Sequence, residues 1–199
     1  MPAGERVELE CGLSAGAAGP LRVSVDAGYR VVEIKRDGAI VDGKPHDLKA
    51  PATGLDKTHL VVADPDVDAA ELARVLAWVG DAPATLVAVR ADGGPPVFVA
   101  MAPDRRTGTV PPARLAMRID DQTLHACAGS HAGSASILEA KKVDAMMSDA
   151  LAACGESCDD VVEIGVGGKH TAKQLVGATS AVRRAGRDPV LALEPRCAK

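Results

Sequence analysis

Residues 160–195, DVVEIGVGGKHTAKQLVGATSAVRRAGRDPVLALEP, read as strand, glycine loop, helix, turn and strand. Val161, Val162 and Ile164 are β-branched and stop at Gly165, which favours a short, half-buried extended run. Thr171 precedes Gln174 by three residues, the spacing at which a hydroxyl and an amide satisfy free backbone donors at a helix start. Ala172, Leu175, Val176, Thr179 and Val182 recur at helical intervals as one mainly apolar stripe. Arg183 and Arg184 suit the negative end of the helix dipole, and Gly186 offers the left-handed exit. Val190 to Leu193 forms the return strand, so the stretch is a βαβ-like unit with its helix on one sheet face.

The same order occurs earlier. Leu60 to Ala63 reads as a strand, Asp68 and Glu71 repeat the helix-start spacing, and Leu72, Val75, Leu76 and Val79 repeat the stripe. Pro83 marks the turn and Leu86 to Val89 the return. Setting Asp68 on Thr171 puts Leu72 on Leu175, which is an internal repeat.

Around these two units the chain divides into four parts. Residues 1–19 are a flexible lead-in, 20–102 a degenerate first module, 103–112 a linker rich in Pro, Gly and Arg, and 113–199 a second module. Within the first module, Leu21 to Val25 and Arg30 to Ile34 read as strands. Ala39 to Asp47 reads as a hairpin turning at Asp42 and Gly43, Lys49 to Lys57 as loop, and Val97 to Met101 as a further strand. In the second, Leu115 to Ile119 and Thr123 to Ala126 have strand character, and GSHAGSAS (129–136) reads as a small-residue loop. Ser136 and Glu139 have capping-box spacing for a helix whose buried face is Val143, Met146, Met147, Ala150, Leu151 and Cys154, with the methionines as core filler. The expected fold class is α+β: two small βα modules, each a mixed sheet with one or two helices packed on one face.

Bulk composition excludes several functions. Trp78, Tyr29 and Phe98 are the only aromatic residues and the formal charge is −4. The chain therefore has neither stacking platforms nor a basic footprint for nucleic acid. No apolar run approaches the roughly 18 to 20 residues that cross a bilayer, and residues 1–20 lack the pattern of a signal peptide. Two placements follow: a cytoplasmic protein, or a part of a longer, anchored one. Five cysteines are compatible with an oxidising compartment, and the odd number leaves one unpaired within a monomer.

The closing run AVRRAGRDPVLALEP, after a strand, loop and helix, resembles the C-terminal half of the periplasmic domain of the ExbD/TolR family of biopolymer transport proteins. HLVVADPDVDAAELARVLAWV resembles the same family segment, where a strand ending in Ala-Asp leads into the second helix. DGAIVDGKPHDL resembles the family's strand with a DG turn. The resemblance implies two partial copies in tandem. Family members carry a transmembrane helix with a proton-accepting aspartate, then a small dimerising periplasmic α+β domain, and work with an ExbB/TolQ-type partner. This sequence has no such helix, so no residue here inherits the proton-carrying role, and the first copy lacks an evident first helix. The implied placement is periplasmic or extracytoplasmic. The implied partners are envelope proteins, including an ExbB/TolQ-type membrane protein where the native protein has an anchor, and a second copy as homodimer.

The chemical motifs are few. Gly165, Gly167 and Gly168, followed by Lys169 and His170, lie between a strand and a helix start, where backbone donors can hold an anion. A P-loop would need glycine at Glu163 and Ser or Thr at His170, and a dinucleotide loop would need its third glycine at His170. Asp64, Asp66 and Asp68 begin like a calcium loop, but Ala69 and Val75 stand where it needs glycine and glutamate. His125, Cys127, His131, Cys154 and Cys158 do not have zinc-finger or zinc-ribbon spacing. Cys154 and Cys158 are spaced for a disulfide across one helical turn, and Cys127 with Cys197 is a candidate second bridge, leaving Cys11. Nucleophile elbow, HExxH and paired-carboxylate signatures are absent, so no catalytic residue, cofactor or metal is expected. The leading expectation is a non-catalytic periplasmic binding and assembly module of a proton-motive-force-linked transport system. The alternatives are a small enzyme or thiol-redox protein using the Gly165–Lys169 loop or Cys154 and Cys158, and a stand-alone scaffold.

Overall fold

Alternating burial along Arg30–Lys35 (β1) puts Val32 and Ile34 in the core. The chain then folds back twice, through Gly38–Val41 (β2) and Lys44–His46 (β3). Asp42 and Gly43 close the second hairpin at φ +50° and +80°, the left-handed pair that suits a two-residue turn between twisted strands. His59–Ala63 (β4) is buried throughout, pairs parallel to β1, and leads through Ala69–Val79 (α1) to Thr85–Arg90 (β5), parallel to β4. The structure, a computed structural model, describes residues 30–36, 38–49, 59–79, 85–90, 96–101, 114–156, 158–166 and 169–192. The lead-in, the strand expected at Leu21 to Val25, most of the Lys49 to Lys57 loop, and the 103–112 linker lie outside them.

The second module repeats this order with one more helix. Leu115–Asp120 (β7), Thr123–Ala128 (β8) and His131–Ser136 (β9) form an antiparallel meander. Ala140–Cys154 (α2) follows, then Val161–Gly165 (β10), Ala172–Arg184 (α3) and Asp188–Ala192 (β11). β10 lies between β7 and β11, parallel to both. Helices α2 and α3 pack on each other, α2 over β7 to β9 and α3 over β7, β10 and β11. The expected α+β class with two βα modules is what the chain adopts.

Two readings of the second module are corrected. The segment 129–136 is not a loop: from His131 it is a full strand, pairing with β8 along six residues after a turn at Gly129, whose φ is +58°. Gly133 is small because α2 lies close against it; a Cβ there would meet Met146 Cγ at 3.1 Å. Ser136 is not a helix cap either. It is held in the β8–β9 ladder opposite Thr123, and α2 starts four residues later at Ala140, with Glu139 at its N-cap.

Pro96–Met101 (β6) joins the modules, running antiparallel to β5 and parallel to β11. Each module's five strands thereby enter one order, β3-β2-β1-β4-β5-β6-β11-β10-β7-β8-β9. Equivalent positions fill the core of both halves: Val32 and Met117, Ile34 and Ile119, Leu72 and Leu175, Val79 and Val182 are all buried. Met146 and Met147 are buried in the same core.

Candidate functional site

The two strand-to-helix joints meet. Asp68 and Thr171, the residues before α1 and α3, form an antiparallel bridge. The Ala69 N–H donates to the His170 carbonyl and the Ala172 N–H to the Val67 carbonyl, both at 2.8 Å. Under the repeat, Ala69 corresponds to Ala172 and Val67 to His170, so each bond is the other's image about a local two-fold axis. An isologous contact has this form: residue i meets j, and j meets i.

The joint also decides what the glycine loop can do. The first amides of a helix are its anion-binding groups because nothing within the helix bonds them. In α3 they are engaged: Ala172 donates to Val67, Lys173 to the Pro65 carbonyl at 3.0 Å, and Gln174 to the Thr171 carbonyl at 3.0 Å. Reciprocally, the Thr171 N–H donates to Gln174 Oε1 at 2.8 Å, which completes the capping box. The Gln174 amide reaches across to the Asp121 carbonyl in the β7–β8 turn, and the Asp121 N–H donates to the Lys169 carbonyl at 2.9 Å. Gly165 ends β10 and is buried; Gly167 and Gly168 lie outside the described residues.

A cleft opens on each side of the joint at the carboxyl end of the parallel strands, where open α/β sheets hold ligands. One, of about 610 Å³, is lined by Lys35, Arg36, Gly38, Asp66, Val67, Asp68, Glu71 and Arg74. The other, of about 550 Å³, is lined by Asp121, Gln122, Lys169, His170, Thr171 and Gln174, with Asp68 and Ala70 from the first module. Lys35 and Asp120 end the first ladder of their hairpins, opposite Gly38 and Thr123, so Arg36 corresponds to Asp121. Two pairs of equivalent positions exchange sign, Arg36 with Asp121 and Asp66 with Lys169, while Asp68 lines both clefts. In the first cleft the hairpin is basic and the joint acidic; in the second the hairpin brings Asp121 and the joint brings Lys169 and neutral Thr171 and Gln174.

His170 departs most from the repeat. Its counterpart Val67 is buried, and His170 is equally so at 5% exposure, yet neither ring nitrogen makes a well-formed hydrogen bond among the described residues. Desolvation lowers its pKa from the ordinary 6.5, outweighing the Ile119 carbonyl and the Asp120 carboxylate, which act to raise it.

The cysteines divide between known and undescribed partners. Cys154 and Cys158 form a disulfide, with Cα atoms 5.3 Å apart. Cys154 stands in the last turn of α2, the negative end of the helix dipole, which disfavours a thiolate and gives no support to redox catalysis. Cys127, on β8, is also disulfide-bonded, and its candidate partner Cys197 lies outside the described residues. His125 and Cys127 share β8 and His131 opens β9, but no group of three His, Cys, Asp or Glu side chains is placed to hold a metal ion among the described residues.

Two features escaped the sequence reading. One is the pairing of the joints: the repeat put Asp68 on Thr171, but spacing does not reveal that equivalent residues touch. The other is a buried charge cluster, in which Arg114 meets Glu163 at 2.7 Å and Asp159 at 3.1 Å. Its signal was Glu163 inside the apolar run from Val161 to Ile164, where a 4%-exposed carboxylate demands a cationic partner.

No protein-family model, curated protein or solved structure matches the chain.

Proposed function

We propose that this chain is a non-catalytic binding and assembly module of an envelope energisation system of the ExbD/TolR kind, with two copies of the module fused into a pseudo-dimer. The reciprocal bonding of Ala69 with His170 and of Ala172 with Val67 carries this reading. Two copies that hold each other through equivalent residues stand, within one chain, where a symmetric dimer of separate chains would. The resembling segments cover different parts of the repeated unit: HLVVADPDVDAAELARVLAWV spans β4 and α1, and AVRRAGRDPVLALEP takes in the end of α3 and β11.

The described residues favour a binding role over chemistry. The α3 amides that would hold a phosphate are engaged in the joint, and the helical cysteine pair lies at the wrong helix end to activate a thiol. The Cys154–Cys158 bridge supports an oxidising, extracytoplasmic placement. No helix among the described residues is long and apolar enough to cross a membrane, and the partner that the resemblance implies is a membrane protein of the ExbB/TolQ type. The test mixes the purified chain with the detergent-solubilised ExbB/TolQ-type protein of the same organism and measures association by sedimentation. A complex is expected. Absence of association, with every cysteine free in protein recovered from its native compartment, overturns the proposal.

A further inference from the structure

We propose that His170 is a pH-sensitive latch on the joint, holding the two modules together while its ring is neutral and loosening them when the ring takes up a proton.

The geometry gives the reason. The His170 carbonyl is the acceptor for Ala69, one of the two reciprocal bonds of the joint, so the residue whose ring is buried without a well-formed hydrogen bond among the described residues is also the one whose backbone ties the modules. At the equivalent place across the local axis stands Val67, which fills the same buried position with an apolar side chain. The repeat thus supplies its own comparison: the fold needs volume at this place, and only one copy fills it with a titratable group. A neutral imidazole is tolerated there. An imidazolium adds a second N–H donor and a charge at a place where the Ile119 carbonyl acts in its favour but burial outweighs it.

The surrounding charges do not form a preorganised counter-ion site for the ring. Asp120 is the acidic group whose field acts on it, and Asp120 is exposed at the end of β7, where water weakens its pull. Asp121, Lys169 and Asp68 line the adjoining cleft; Lys169 opposes the acids. Burial prevails, and protonation is best accommodated by letting water reach the ring. The low-cost way to do so is to part the short bridge at Asp68 and Thr171, because the strands behind it are tied by their own ladders.

The sign follows from linkage. The folded-state pKa lies below the unfolded 6.5, so the opened form binds more protons. The joint is fully closed above that value and weakens as pH falls below it, down to the folded-state pKa.

Hydrogen exchange by NMR, corrected for intrinsic rates, tests the latch at Ala69 and Ala172 between about pH 5 and pH 8, the span in which histidine titrates. In the native chain their protection should fall by up to about tenfold per pH unit below 6.5, the limit for one proton. H170V copies the first module and H170Q keeps a polar side chain without a titration; both should remove the slope. Flat protection in the native chain, or an unchanged slope in either variant, overturns the latch. Should a variant fail to fold, ring NMR of native His170 decides. A midpoint below 6.5, with protection falling from 6.5 and levelling off at that midpoint, supports it, and a midpoint at or above 6.5 refutes it. These outcomes are independent of any membrane partner.

Discussion

Asp68 and Thr171 each precede a helix and face each other in a single antiparallel bridge, so the two helix starts complete one another's hydrogen bonding. Proline at the first position of an ordinary helix is well tolerated, because the N–H it removes is unbonded within the helix. Ala172 is different: its N–H is bonded to Val67. Thr171, with φ −100° and ψ 164°, already has the extended conformation that a following proline requires. Ala172→Pro should therefore lower stability by about 1 kcal/mol or more through the lost bond, where an independent helix would show little change. Chemical denaturation of the pair of proteins measures the difference.

The disulfide Cys154–Cys158 closes a short loop at the end of α2, with a separation of four residues. Chain-entropy reasoning assigns such a loop about 2 kcal/mol, so a Cys154→Ala, Cys158→Ala double variant should unfold at lower denaturant concentration by about that amount. Counting thiols in the unreduced, denatured native chain gives a second readout. With Cys127 also bonded, one free thiol among the five cysteines is expected.

Thr179 and Leu76 occupy equivalent places on α3 and α1, and both are buried. The Thr179 hydroxyl has no hydrogen-bond partner among the described residues, so it carries the cost of a desolvated polar group without the compensating bond. Thr179→Val keeps the shape and removes the hydroxyl. An increase in stability of about 1 kcal/mol is expected, read as a higher denaturation midpoint with an unchanged slope.

Local chemistry was the legible part of this fold. Thr171 with Gln174, Arg183 and Arg184 with Gly186, and Asp42 with Gly43 each act within a few residues of chain, and the structure uses them at the places their spacing indicates. Strand β9 was hidden by its small residues, of which Gly133 is small to admit Met146, a contact remote in sequence. Ser136 had the residue type for a cap but was already committed to the β8–β9 ladder. The joint was hidden for the same reason. Backbone groups of Val67 and His170 carry no residue code, and only the meeting of two modules turns their carbonyls into caps for each other's helices.

Glu163 and its counterpart in the first module, Leu60, show how one position can be filled in two ways. Both are buried, but Glu163 is held by Arg114, which also binds Asp159. Removing the cation from a buried pair leaves an uncompensated charge, which costs about 3 to 5 kcal/mol, so Arg114→Met should be strongly destabilising. Apolar replacement of both partners removes the stranded carboxylate. The Arg114→Met, Glu163→Leu double variant should therefore recover much of that loss, with Leu taken from the first module's own solution. Asp159 keeps the full recovery from being reached, since it loses its bond to Arg114. The check is a double-mutant cycle by urea denaturation. Additive losses would mean that Arg114 and Glu163 do not act as a pair.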